Sequence, residues 1–177
     1  DNLRVRGANL LGGHDEGWQV AATTLEQEHG GRGAAFSPDA DLHQLLAYIR
    51  ETKRRGVPVG ADPTVRLTAM DSYIASQVHR LLETRNYWMY VNKQEMTYHG
   101  AQSALWRKEF RVRNGAREAS IMGPKSLLDH TDDAPVFGGA PEVRQRRNLA
   151  WTHPGGTPEI MRLIIARRLG ISRTRER

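Results

Sequence analysis

Leu67, Ile74, Leu81 and Trp88 recur at intervals of seven residues, a spacing that holds one face of an α-helix and suits no β-strand. Met70, Val78 and Leu82 widen the stripe. Asp62 is placed to cap such a helix and Pro63 suits its first helical position. The spacing predicts one helix over residues 63–92, roughly 45 Å long at the usual rise per residue. Helices of that length belong to bundles.

The flanking segments extend the same pattern. Asp15-Glu16 opens a helix carrying Trp18, Val20, Ala21 and Leu25, which reaches at least Glu28 before Gly30-Gly31 interrupts it. Leu42, Leu45, Leu46 and Ile49 stripe a second helix from about residue 41 to 55, with Lys53-Arg54-Arg55 as a basic last turn and Gly56 as its cap. Another helix runs from near Gln102 to Met122, with a kink expected at Asn114-Gly115 and a stop at Gly123-Pro124. A loop over residues 129–140 leads to a short helix from Pro141 to about Ala150. Thr157-Pro158-Glu159 opens the last helix, whose apolar face is Ile160, Ile164, Ile165 and Leu169. The first dozen residues, with Leu3, Val5 and Leu10-Leu11 before Gly12-Gly13, read as extended. The expected fold is therefore all-α, an antiparallel bundle of long helices with a short β-strand remnant at the N-terminus.

Composition narrows the function classes. The absence of cysteine excludes disulfides and thiolate metal sites and fits a cytoplasmic setting. The seven histidines show no metal-ligand spacing, and neither a P-loop nor a Ser–His–Asp arrangement is present. No apolar run approaches the ~20 residues of a membrane span. A net charge of +6 raises a nucleic-acid-binding module as one reading. Against it, the basic residues are scattered or gather at helix ends, where the helix dipole favours them. Tyr87-Trp88, Tyr90 and Trp106 would serve such a module as a stacking platform, but at helical spacing they suit a core or a subunit interface. Without an initiating Met or a leader-like start, the chain is expected to begin inside a larger protein.

Three stretches carry a family pattern. Residues 5–29 contain Asn9-Leu10-Leu11-Gly12, then Gly17-Trp18 and Thr23-Thr24-Leu25 with Glu28. His99-Gly100-Ala101-Gln102-Ser103 leads through Lys108 to Met122-Gly123-Pro124 and Leu127-Leu128. Gly155-Gly156-Thr157-Pro158-Glu159-Ile160-Met161-Arg162 is followed by Ile164-Ile165-Ala166-Arg167-Arg168-Leu169-Gly170. In this order they resemble the C-terminal region of the acyl-CoA dehydrogenases, from the end of the middle β-domain (residues 1–14) through the helical bundle (residues 15–172) to a polar tail (residues 173–177).

The resemblance implies an FAD-dependent oxidoreductase that introduces a 2,3-double bond into an acyl-CoA thioester. It implies electron-transfer flavoprotein as acceptor and a homo- or hetero-tetramer, with neither nucleic acid nor membrane as partner. Residue by residue, Glu28 matches one of the two places where the family carries its general base, since the other is Gly155. The N–H of Gly155 would hold the thioester carbonyl, and Thr157 and Glu159 would lie by the FAD. The plainer alternatives are a solvated helix carboxylate for Glu28 and simple helix capping for Thr157 and Glu159. His29 stands where the family has Arg, the family's R-x-x-F-G segment has no match, and Gly138-Gly139 lacks the Gln of Q-x-x-G-G. Those departures resemble branches in which two different subunits share a flavin site, so a non-catalytic partner subunit is the alternative function. The piece by itself is expected to be inactive.

Overall fold

The computed structural model describes residues 2–29 and 38–172, with the side chains of residues 26–29 excepted. The chain is an all-α antiparallel bundle. Its helices are α1 (Gly17–His29), α2 (Ala40–Glu51), α3 (Pro63–Val91), α4 (His99–Met122), α5 (Ala140–Ala150) and α6 (Pro158–Arg168). Helix α4 is the central element, with α3 packed along it and α1, α5 and α6 against its other faces. Among the described residues no helix is long and apolar enough to cross a membrane.

Local chemistry sets the boundaries. The Asp62 carboxylate accepts from the Thr64 N–H at 2.8 Å and Pro63 follows at the first helical position, so α3 starts where its cap residues predict. Asp39 caps α2 by accepting from Leu42 N–H at 3.0 Å. Helix α2 stops at Glu51, earlier than its basic run suggests. Lys53–Arg54 (β1) instead pairs antiparallel with Val57–Pro58 (β2). Arg55 and Gly56 both turn at positive φ, 50° and 81°, which is the geometry of a tight hairpin turn rather than of a helix cap.

Two further expectations are corrected. The strand remnant at the N-terminus does not form among the described residues. Residues 6 and 10 are extended, but a 3-10 turn over Gly7–Asn9 separates them and the segment is exposed. A strand requires a neighbour to receive its hydrogen bonds, and the segment has none among the described residues. Helix α4 runs unbroken through Gly115, which is buried with Asn148 of α5 3.5 Å from the place of an absent Cβ. The expected kink at Asn114-Gly115 is absent.

The core lies in two clusters. One joins Leu45, Tyr48 and Ile49 of α2 with Val65 and Ala69 of α3 and Ile121 and Met122 of α4. The other sets Met161 of α6 against Ala101 and Ala104 of α4, with Leu105, Ile164 and Ile165 around them. Full burial of a side chain such as Met161 is worth about 2 kcal/mol. Ile160 and Leu169, expected on the inner face of α6, are about half exposed.

Helix α3 turns its apolar stripe outward. Leu67, Ile74, Leu81 and Trp88 are 71, 53, 68 and 57% exposed, while the opposite face buries Ser72, Ser76, Glu83 and Asn86 beside Val65, Ala69 and Ala75. Small residues let α3 approach α4 closely. The apolar stripe that announces the helix points away from the chain's own core.

Candidate functional site

The loop before α6 is built from its backbone upward. Gly155 and Gly156 turn at φ 70° and 91°, a region that side chains penalise. A Cβ on Gly156 would also fall 2.6 Å from the Met161 methyl group. Thr157 then caps α6 by accepting from the Ile160 N–H at 3.5 Å. The Glu159 carboxylate takes its own backbone N–H and the Thr157 hydroxyl, and both bonds hold its pKa below the usual carboxylate range. Pro158 has no N–H to satisfy. The first turn of α6 is therefore capped from within.

Lys108 fixes this loop from the other side. It is 7% exposed, and its ammonium donates to the carbonyls of Trp151 at 3.1 Å, Thr152 at 3.3 Å and Pro154 at 2.7 Å. All three donors of the ammonium are used. Burial, aided by the Arg107 charge, lowers its pKa. The end of α5 and the glycine turn are thus tied to the middle of α4. Sequence reasoning passed over Lys108, although its place in the run Ala101, Ala104, Leu105, Lys108 on one helical face is a legible signal.

A second group of polar residues lines a cleft of ≈620 Å³ between α2, α3, α4 and α5. His79 and Glu83 stand one turn apart on α3 with Nδ1 and Oε1 at 3.9 Å. The Ser103 hydroxyl donates to Glu83 Oε1. Glu83 Oε2, His79 Nδ1 and Ser72 Oγ are buried and have no hydrogen-bond partner among the described residues. Burial raises the Glu83 carboxyl against the opposing Ser103 bond and the Arg107 and Arg111 charges. Burial, then those two arginines, push His79 down to about 4. Burial therefore shifts both groups towards their neutral forms relative to solvated His and Glu.

The sequence-predicted residues fall as follows. Gly155, Thr157 and Glu159 share the turn just described. Glu28 lies in the last turn of α1, and its side chain is outside the described residues. Gly139 turns at φ 82°, and a Cβ there would meet the His130 backbone N at 2.6 Å, so packing requires Gly139, whereas Gly138 turns at φ 63° with open space around it. Pro135 occupies the place where Q-x-x-G-G has its Gln. Two of the arginines near the start of α5 are paired: Arg144 meets Glu118 and Asp41, with Gln44 beside it, and Arg146 meets Glu142. Trp106 is no stacking platform, because its Nε1 donates to the Ala75 carbonyl at 3.0 Å and Arg113 covers its ring at 5.5 Å. Among the described residues no group of three His, Cys, Asp or Glu side chains is placed to hold a metal ion.

Comparison with known proteins adds an independent observation. The family model for the acyl-CoA dehydrogenase C-terminal domain matches residues 15–170. The probable acyl-CoA dehydrogenase YngJ of Bacillus subtilis (strain 168) is 25% identical over 174 residues, covering 96% of this chain and 43% of that protein. Among solved structures, the prolyl acyl carrier protein oxidase AnaB superposes with a TM-score of 0.81 at 24% identity, over 96% of this chain and 43% of that one. A glutaryl-coenzyme A dehydrogenase in complex with glutaryl-CoA gives 0.81 at 17%, over 100% and 44%. The ChsE4–ChsE5 complex of Mycobacterium tuberculosis gives 0.76 at 19%, over 96% and 45%. At these identities the structures speak for the fold alone, and the chain spans less than half the length of the curated relative it matches.

Proposed function

The chain belongs to the acyl-CoA dehydrogenase family, as its C-terminal domain, and on that premise we propose that the whole protein is an FAD-dependent acyl-CoA dehydrogenase. It removes two hydrogens from an acyl-CoA thioester, the α-hydrogen as a proton and the β-hydrogen as hydride, and leaves a 2,3-double bond. FAD, when bound, supplies the hydride acceptor, and electron-transfer flavoprotein takes the electrons onward.

In this reading Glu28 accepts the α-proton. A buried carboxylate beside the α-carbon is a competent base because desolvation brings its pKa toward neutrality. The Gly155 N–H holds the thioester carbonyl, where negative charge develops as the proton leaves. Thr157 and Glu159 lie along the cofactor's edge. The observation that carries the reading is the rigid turn before α6. Two consecutive glycines at φ 70° and 91° offer bare backbone, which suits the close approach of a flat ring and a thioester. Lys108 keeps that backbone in one position. The residues present fit the ring side of FAD in this way.

The outer part of the cofactor is less well served by this chain, since Pro135 replaces the Gln before Gly138-Gly139. That departure supports a second reading, in which the subunit pairs with a different chain that completes or performs the catalysis. Anaerobic mixing of the full-length protein with acyl-CoA thioesters tests the first reading. Bleaching of a bound flavin is expected, and a full-length protein that holds no flavin would leave the partner-subunit reading in its place.

A further inference from the structure

Arg107 and Arg111 stand one turn apart on α4, and both line a cleft of ≈340 Å³ together with Trp151, Pro154 and Gly155. Arg113, Arg117, Arg144, Arg146 and Arg162 each meet a carboxylate. Arg107 and Arg111 do not: among the described residues neither guanidinium donates a hydrogen bond or forms an ion pair. Lys108 adds a third cation to the same lining, and its donors are already committed to three carbonyls.

Cations gathered this way repel one another, and the repulsion is felt. The Arg111 pKa is lowered by burial first and then by Arg107, with Arg147 adding to the effect. Asp39 and Asp41 act in the other direction without reversing it. Two planar five-donor groups, one turn apart and without a partner among the described residues, are suited to an anion that arrives from solution.

We infer that this cleft binds a phosphate-class anion, bridged by the guanidinium groups of Arg107 and Arg111. Side chains one turn apart on a helix lie about 5–6 Å from each other at Cβ, so two forks can converge on one tetrahedral oxyanion. A carboxylate has two oxygens and one charge, and it would leave most of the donors unmet. A phosphate monoester offers three oxygens and close to two charges. The cleft exceeds the volume of a bare phosphate ion, and the Trp151 side supplies a wall for an organic group. The phosphate therefore comes either as the free ion or on a small organic carrier, and the chemistry of recognition is the same.

The test is calorimetric titration of the intact protein at constant chloride with orthophosphate and, separately, with phenyl phosphate. Saturable binding is expected, weakened at least roughly tenfold by Arg107→Gln and by Arg111→Gln, the scale of a lost charge-assisted hydrogen bond. Arg113→Gln, on the Trp106 side of α4, should bind as the wild type does. The two Gln variants should unfold at or above the wild-type temperature, because each removes a repulsive charge. Tighter binding of phenyl phosphate would assign an ester as ligand, and tighter binding of orthophosphate the free ion; either upholds the site. No saturation by either probe at about 10 mM, affinity that survives both Gln substitutions, or an equal loss in Arg113→Gln would overturn the inference.

Discussion

The ammonium of Lys108 lies 2.7 Å from the carbonyl oxygen of Pro154, three residues before the threonine that caps α6. A buried charge that satisfies three carbonyls cannot be removed cheaply, because truncation leaves those acceptors facing an apolar side chain. Lys108→Met is expected to destabilise the chain by about 2–4 kcal/mol. Lys108→Arg should recover only part of that loss, since a flat fork cannot reproduce the three directions of an ammonium. Urea unfolding measures both, and a Lys108→Met midpoint equal to the wild type would refute the assignment.

The exposed stripe on α3 leads to an expectation about assembly. Leu67, Ile74, Leu81 and Trp88 are more than half exposed along one helical face, and a contiguous apolar surface of that kind marks an interface. We expect self-association or capture of a partner subunit through this face. Ile74→Glu combined with Leu81→Lys should dissociate the assembly while changing the stability of the single chain by less than about 0.5 kcal/mol per site. Sedimentation velocity decides the point: a wild type that is monomeric at all concentrations and in its full-length form would rule the interface out.

The sequence was legible wherever local chemistry acts alone. Asp62-Pro63 and Thr157-Pro158 mark helix starts because capping is settled within four residues. The three family stretches were legible for the same reason, being contiguous in the chain. Facing was not legible. The seven-residue stripe of α3 is the right signal for a helix and the wrong one for its core, because the bundle buries small and polar residues there. Hydrophobicity records what must be covered, and does not say by which surface. Lys108, Glu83 and Glu118 read as ordinary surface charges until the fold brings carbonyls, Ser103 and Arg144 to them. The N-terminal strand was unreadable in the opposite sense: extended residues are plain in the sequence, but their hydrogen-bonding neighbour is not.

His79 gives the chain a dependence on acid. Unfolded, it takes up a proton below about pH 6.5, and folded only near pH 4, because burial and the Arg107 and Arg111 charges disfavour the cation. Between those values the unfolded state binds more protons, so stability falls as pH falls, by at most about 1.4 kcal/mol per pH unit. Glu83 acts with the opposite sign. Its folded pKa is raised above 4.5, so its contribution weakens the fold as pH rises from there. His79→Gln should remove the acid-side loss and leave the Glu83 slope exposed. Urea midpoints collected from pH 4 to 7 report it, and parallel curves for the two proteins would exclude His79 as the cause.

The catalytic proposal stands or falls on Glu28. Glu28→Gln in the full-length protein keeps shape and hydrogen bonding but removes the proton acceptor. Flavin content and fold should be unchanged, while flavin reduction by acyl-CoA in a single turnover should slow by at least ~10²-fold, the lower range for loss of a general base. Single-turnover bleaching is the required comparison because it isolates proton and hydride removal from later electron transfer. The resemblance also implies a partial rescue. Gly155→Glu places a carboxylate where the family has its other base, although φ 70° at that position penalises any side chain. Recovery in the double variant should therefore be incomplete and accompanied by lower stability. If Glu28→Gln bleaches at the wild-type rate, the carboxylate is a solvated helix residue, and the proton acceptor belongs to another part of the protein or to a partner chain.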